Sequence, residues 1–243
     1  MLGSTRAFIC TFSLATSVKN QYFGDTRDLF KYDLALHILE RTDLRRFTFV
    51  PMLTPEDETT DGVHVDLAKA KAGRDNQPLC DFLESCTREG RRDIRELDRF
   101  FAGTTNEILT YHPVLEKERR SQYFSDLPGD WLEDSVVVLD PDNGMEVPSG
   151  RGVKWLRYDE LRHLYDDLGD RSVMLVFQFI PREKRSIFIP RIARAMIDRS
   201  GVEPPVHWVS DGHVVFYGLS RRGDVEDVLA DYGRKYDLTT GSV

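Results

Sequence analysis

Hydrophobic positions along this chain follow two patterns, and their order predicts helices that alternate with strands. Apolar residues three or four positions apart are typical of amphipathic helices, and short apolar runs are typical of buried strands. The predicted strands are RFTFVPMLTP, SVVVLD and SVMLVFQFI; the predicted helices are YFGDTRDLFKYDLALHILER, PLCDFLESC, DIRELDRFFAG, YDELRHLYDDLGD, REKRSIFIPRIARAMIDRSG and GDVEDVLADYGRKY. Strands separated by helices predict an α/β, Rossmann-like fold with a mostly parallel sheet.

Two further features define the expected domain. Apolar runs on both sides of Asp211-Gly212 predict a C-terminal antiparallel hairpin, which we expect at an edge of the sheet. Residues 1–17 show no amphipathic period, and their short apolar stretch favours an N-terminal extension over the alternative of a secretory signal. With no repeat and no low-complexity linker, residues 18–243 are predicted to form one α/β domain.

Composition narrows the class of protein. Hydrophobic residues make up 40% of the 243 residues and charged residues 30%, which allows a packed core. The net charge of -8 argues against coating nucleic acid by bulk charge, although it permits a local basic patch. Cys10, Cys80 and Cys86 have no metal-binding spacing and indicate reduced thiols in a cytoplasmic protein. No apolar run approaches the roughly 18 residues of a membrane span, so no membrane association is expected.

Polar residues that could bind a ligand or take part in catalysis are concentrated in the stretch SVVVLDPDNGMEV, residues 135–147. Asp140 ends a buried strand, and ligands of open α/β sheets bind at the carboxyl ends of strands. Asp142, Asn143 and Glu146 follow within six residues, and such close acids repel one another unless a cation or hydrogen-bond donor lies among them. The stretch predicts either an Asx-turn with solvated acids, or a site for a substrate amine, a ribose or a divalent metal.

Other candidates fall near the same predicted edge. The loop after the first strand, residues 54–62, is rich in acids that suit a ribose hydroxyl, a metal or another cation. Asp25 and Lys31 lie in the first turns of the first helix, where they form either a solvated charge pair or part of the site. The sequence PREKR after the third strand supplies Arg182, Lys184 and Arg185 for phosphate contacts.

Several of these motifs resemble known families. The strand running into Asp140-Pro141 resembles the fourth motif of class I S-adenosylmethionine (SAM)-dependent methyltransferases, in which [Asp/Asn]-Pro-Pro-aromatic holds a target amine. YFGDTRDLFKYDLALHIL is similar to the opening helix of ribosomal-RNA adenine-N6 methyltransferases and to the three-Cys-motif partner proteins. Together, KNQYFGD…KY, MLTPED…DG, LDPDNGMEV and PREKR resemble a bacterial family of similar length without an assigned activity, whose chains begin near KNQYFGD. That start implies Val18 as the initiator here.

The resemblance implies SAM as the cofactor and a nucleic acid or nucleotide as the substrate. The implied cofactor-binding residues are Asp25, Lys31, Thr54, Asp57, Asp61 and Gly62; the implied catalytic residues are Asp140, Asp142, Asn143 and Glu146; the implied substrate or phosphate contacts are Arg182, Lys184 and Arg185. Two features depart from the methyltransferase pattern. No glycine-rich turn follows the first strand, and Asp142 and Asn143 replace the second proline and the aromatic residue, which argues against adenine methylation.

Two alternatives remain open. A Mg²⁺-dependent nuclease or phosphoryl-transfer enzyme would hold its metal through carboxylates, since hard cations prefer oxygen ligands. The candidate ligands are Asp57, Asp140, Asp142 and Glu146. A methyltransferase fold that acts as a non-catalytic partner protein is the third possibility.

Overall fold

The computed structural model describes residues 23–54, 66–148, 150 and 152–243, which form an α/β structure. The helices are α1 (Thr26–Arg41), α2 (Gln77–Arg88), α3 (Glu96–Phe101), α4 (Arg120–Ser125), α5 (Tyr158–Asp166), α6 (Arg185–Ser200) and α7 (Val225–Tyr236). The strands are β1 (Arg46–Val50), β2 (Glu107–Thr110), β3 (Ser135–Leu139), β4 (Gly144–Met145), β5 (Trp155–Leu156), β6 (Val173–Phe179), β7 (His207–Ser210), β8 (Val214–Leu219) and β9 (Thr239–Ser242). Every helix in these ranges is too short or too polar to cross a bilayer.

The main sheet has the strand order β2-β1-β3-β6-β8-β7-β9. The four strands β2, β1, β3 and β6 pair in parallel, so their carboxyl ends lie along one edge of the sheet. The predicted hairpin forms as β7 and β8, and β8 pairs antiparallel with β6. The mostly parallel sheet with a C-terminal antiparallel hairpin therefore agrees with the prediction.

Side chains of the central strands alternate between two hydrophobic cores. Phe47, Val136 and Leu175 point into a core shared with α1, α2, α3 and α7. Leu139 and Val176 point into the opposite core, shared with α4, α5 and α6. Strands buried on both faces read as continuous apolar runs, which is why SVVVLD and SVMLVFQFI were recognisable. The result is a sheet between two layers of helices.

The structure differs from the sequence prediction at the ends of the sheet. The hairpin is not an edge, because β9 pairs with β7 and covers it. Strand β9 has the sequence TTGS with exposed or half-exposed side chains, so it carries no apolar signal. Strand β2 is similarly short and half-exposed. Helix α6 continues through Pro190, its sixth residue, which has no N–H to donate to the Ser186 carbonyl.

A buried acid joins the first helix to the last. Both Asp33 carboxylate oxygens accept hydrogen bonds at 2.8 Å, Oδ2 from the Tyr232 hydroxyl on α7 and Oδ1 from Asn76 Nδ2 before α2. His37, one turn further along α1, lies with Nε2 3.5 Å from Asp231 Oδ2. These polar contacts fix α1 against α7 on one face of the sheet.

We expect Asp33→Ala to lower the free energy of unfolding by about 2–4 kcal/mol, because it leaves two buried donors without their acceptor. Tyr232→Phe removes one of the two hydrogen bonds to Asp33 and should lower the free energy of unfolding by about 1–2 kcal/mol. Urea unfolding followed by circular dichroism at pH 7 measures both. Equal losses in the two variants would contradict the idea that Asp33 serves two partners.

Candidate functional site

The candidate site lies at the carboxyl edge of the parallel strands. Asp140 directly follows β3, Thr54 lies four residues beyond β1, and PREKR begins two residues beyond β6. Since β1, β3 and β6 are neighbours in the sheet, these segments emerge side by side. The structure thus brings together the loops that the sequence placed near one another.

A buried lysine, Lys31, contacts two of the acids at this edge. Lys31 Nζ on α1 lies 2.5 Å from Asp140 Oδ2 and 2.7 Å from Asp28 Oδ1. Its ammonium lies 5.3 Å from the centre of the Phe49 ring and 5.9 Å from that of Phe177, at cation–π distance. The ion pair is shielded from water, with 5% of the lysine side chain and 19% of the Asp140 side chain exposed.

The start of α1 positions this lysine. Asp25 caps the helix, and its Oδ1 accepts from the backbone N–H groups of Arg27 and Asp28 at 2.8 and 2.9 Å. Asp28 Oδ2 accepts from the Gly24 N–H at 2.9 Å, in a turn where Gly24 has φ +90°. Asp28 lies three residues before Lys31, a spacing that places both on one helix face. The predicted site residue Asp25 therefore acts on the site through the helix cap.

Burial, together with the neighbouring charges, shifts the pKa values of the acids and the lysine at this edge. Burial raises the pKa of Asp140 to about 6; Lys31 opposes this shift, and Asp28 and Asp142 reinforce it. Burial lowers the pKa of Lys31, but Asp140 and Asp28 outweigh burial and raise it above its usual value. Burial also raises the pKa of Asp25, with Asp28 adding to the shift. One ammonium thus serves several carboxyl groups.

The turn after β1 meets the loop after β3. Thr54 is buried, and its hydroxyl donates to Asp142 Oδ2 at 3.2 Å. Two residues earlier, Met52 adopts φ +46°, a left-handed conformation that glycine usually supplies. Uncommon backbone conformations of this kind cluster at functional sites. The chain therefore makes a left-handed turn after β1 without a glycine.

A buried glutamine fixes the loop that carries Asp142 and Asn143. Gln178 Oε1 accepts from the Met145 N–H at 2.8 Å, and its Nε2 donates to the Asn143 carbonyl at 3.1 Å. Gly144 has φ +97°, and a Cβ there would lie 2.4 Å from the Gln178 amide carbon. Gly144 is thus required by both its backbone conformation and the close approach of Gln178. The Asn143 N–H also donates to the Lys154 carbonyl at 2.9 Å.

Glu146 makes contacts on the helices beside the loop. Its Oε1 accepts from Arg199 Nη2 on α6 at 2.8 Å and from the Tyr158 N–H at the start of α5 at 3.4 Å. The Arg199 guanidinium lies 3.8 Å from the centre of the Tyr158 ring. Glu146 therefore ties the loop to α5 and α6, whereas the sequence grouped it with Asp140 as a catalytic or metal-binding residue.

The three predicted phosphate contacts lie at the start of α6. Arg182, Lys184 and Arg185 are exposed. A Cβ on Gly212 would lie 2.5 Å from Arg185 Nη1, so the Arg185 guanidinium rests against the turn of the β7–β8 hairpin. These residues lie beyond the same sheet edge as Asp140.

Some predicted residues lie outside the described part of the chain. These are Asp57, Asp61 and Gly62, and their predicted roles stay predictions. Among the described residues, no group of three or more His, Cys, Asp or Glu is placed to hold a metal ion. Cys80 and Cys86 are buried free thiols on α2.

Sequence reasoning missed two contributors to the edge. Asp28 is not one of them, because its i, i+3 spacing from Lys31 allows the first-turn charge pair that the structure shows. Arg27 stacks over the Phe179 ring with Cζ 4.3 Å from the ring centre, and nothing in the sequence pairs these residues. Met52 gave no signal at all, since left-handed methionine is uncommon.

Lys31→Met removes the ammonium shared by Asp28 and Asp140. We expect the free energy of unfolding at pH 7 to fall by about 3–5 kcal/mol, because the buried carboxylates lose their counter-ion. Adding Asp140→Asn should recover part of that loss, since one buried charge is then gone. Urea unfolding of both variants tests this coupling, and a double variant less stable than Lys31→Met would contradict it.

The raised pKa of Asp140 also predicts a pH dependence. Because the carboxyl titrates near pH 6 in the folded chain and near 3.8 when unfolded, the folded state holds the extra proton between these values. Stability from this group therefore increases as pH falls from about 6 to 4, and is lost as pH rises through 6. Relative to Asp140→Asn, the parent chain should gain on the order of 2 kcal/mol between pH 7 and pH 4. Parallel urea titrations with no such difference would contradict the assignment.

Comparison with protein-family models and with curated proteins identifies no relative of this chain. No protein-family model matches the chain, and no curated protein matches it. The functional interpretation therefore rests on the quoted motifs and on the carboxyl edge itself.

Proposed function

We propose that this chain is a SAM-dependent, methyltransferase-like protein whose ligand binds at the carboxyl edge above β1 and β3. The observation that carries the proposal is the buried cluster at this edge, in which one ammonium, that of Lys31, contacts the carboxylates of both Asp28 and Asp140. The loops bearing Thr54 and Asp142 meet at the same place, in direct hydrogen-bond contact. A crevice between adjacent parallel strands is where α/β folds bind their ligands.

The sheet supports this proposal. Its parallel strands are followed by an antiparallel hairpin whose second strand pairs back onto β6, which supports the arrangement that the motifs imply. Asp140-Pro141 directly follows β3, the position expected for the fourth methyltransferase motif. The glycine-rich turn is missing, and the backbone after β1 instead takes a left-handed conformation at Met52.

The charges of this edge suit the cationic groups of SAM. The cofactor carries a sulfonium and an ammonium as well as one carboxylate, and the carboxylates at this edge outnumber its buried ammonium. Asp142 and Thr54 are the described residues that would hold SAM, and Asp140 would orient the acceptor. Bound SAM would supply an electrophilic methyl group. Asp140, with its raised pKa, is suited to accept a proton from an acceptor amine near neutral pH.

Isothermal calorimetry with SAM, in buffer containing EDTA, tests the proposal. We expect SAM to bind without metal, and Asp142→Asn or Thr54→Val to weaken binding by up to about tenfold, the effect of one lost hydrogen bond. Asp130→Asn is the matched control, because Asp130 is an exposed acid in the segment before β3, at the opposite edge of the sheet.

A different result would favour the metal-dependent alternative. Mg²⁺ bound only to the folded state would raise the melting temperature by mass action. A Mg²⁺-dependent thermal shift that Asp140→Asn abolishes, together with no heat on adding SAM, would overturn the proposal. Absence of both signals would leave the non-catalytic partner as the better description.

A further inference from the structure

Helix α6 and the residues just before it form a basic face on an acidic protein. Residues 182–199 contain six basic and two acidic residues, in a chain whose net charge is -8. The basic residues are all exposed, whereas the buried residues of α6 pack into the core on this side of the sheet; these are Phe188, Ile189, Ile192, Ala193 and Met196. We call the basic residues the α6 basic face: Arg182, Lys184, Arg185, Arg191, Arg194 and Arg199.

Most of this charge has no local counter-ion. Arg191 pairs with Glu183 at 2.7 Å and Arg199 with Glu146 at 2.8 Å. The other four residues of the α6 basic face make no ion pair with any described residue. Elsewhere, arginines such as Arg46, Arg91 and Arg222 sit against carboxylates. The α6 basic face is therefore a concentration of uncompensated positive charge.

The position of these charges is unfavourable for the helix itself. Lys184 caps the N-terminus of α6 and Arg185 is its first residue, where the helix dipole favours acids. Lys184 makes no side-chain capping hydrogen bond. Local stability thus does not explain the basic residues at this end, whereas a polyanionic ligand does.

The shape of the face suits an extended ligand. A groove of about 600 Å³ runs along it, lined by residues that include Ile187, Arg191, Arg194 and Arg199. From Arg185 to Arg199 the helix is roughly 21 Å long, since each residue adds about 1.5 Å. That length spans about six base-pair steps at 3.4 Å each.

We propose that the α6 basic face binds the phosphodiester backbone of a double-stranded nucleic acid. An acidic protein partner would require several apolar anchors, and this face offers one, Ile187, which is the single large hydrophobic residue exposed among those described. Phosphate contacts need arginine and lysine without such anchors. Because α6 starts at the carboxyl edge, a duplex on this face has one end beside Asp140. The idea that this duplex is the substrate rests on the proposed function. The binding of a duplex to the α6 basic face does not depend on it.

Fluorescence anisotropy with a labelled 20-base-pair DNA and an RNA duplex of the same sequence tests the inference, in the absence of SAM. Lys184→Gln/Arg194→Gln removes two unpaired charges. Its control, Arg88→Gln/Lys235→Gln, makes the same charge change on α2 and α7, at the opposite face of the sheet. Polyglutamate competes as a non-nucleic polyanion, and thermal melts verify that each variant folds.

We expect both duplexes to bind, with an affinity that falls steeply as salt rises. In Lys184→Gln/Arg194→Gln, the magnitude of the slope of log K against log salt should fall by about 1.8, since each phosphate contact contributes about 0.9. The affinity of this variant for the duplex at 0.1 M salt should drop by at least about tenfold. The control should bind like the parent chain. No duplex binding, equal loss in the control, or equally strong competition by polyglutamate would each overturn the inference. Duplex binding without SAM binding would refute the proposed function alone.

Discussion

One ammonium group shared by two carboxylates holds the carboxyl edge together. Lys31 reaches from α1 to Asp140 at the end of β3, and Asp28 steadies it from the preceding turn. Without this cation, the acids of the edge would face one another in a poorly hydrated space. A buried ion pair of this kind contributes little net stability compared with an apolar replacement, but losing one partner is costly. The pair therefore fixes the position of Asp140 more than it adds to the net stability of the fold.

The acid-rich loop is fixed by its neighbours. Gln178 fixes the backbone at Asn143 and Met145, while Glu146 contacts Arg199 and the start of α5. Asp140 and Asp142 instead contact Lys31 and Thr54 at the carboxyl edge. The loop thus combines structural and candidate functional residues within seven positions, and residue type alone does not separate them.

The sequence predicted the parts of this protein that depend on local pattern. Buried strands such as β3 and β6, the helix cap at Asp25 and the turn at Asp211-Gly212 each follow from a short-range rule. It failed where tertiary contacts decide, as at strand β9, which is polar and pairs with the edge of β7. The sequence also could not pair Glu146 with Arg199, which is 53 residues away, and the predicted catalytic or metal-binding role of Glu146 stays a prediction. The Lys31–Asp140 pair spans 109 residues, so no spacing rule could reveal it.

The contact between Asp33 and Tyr232 places constraints on how this protein is made. The two residues are 199 positions apart, and α7 completes the core that α1 begins. During synthesis, α1 leaves the ribosome well before α7, so its buried face waits for a helix that lies far along the chain. The core between α1 and α7 can therefore close only after α7 has been made, and the apolar face of α1 is exposed meanwhile to the aggregation risk that long-range topologies carry.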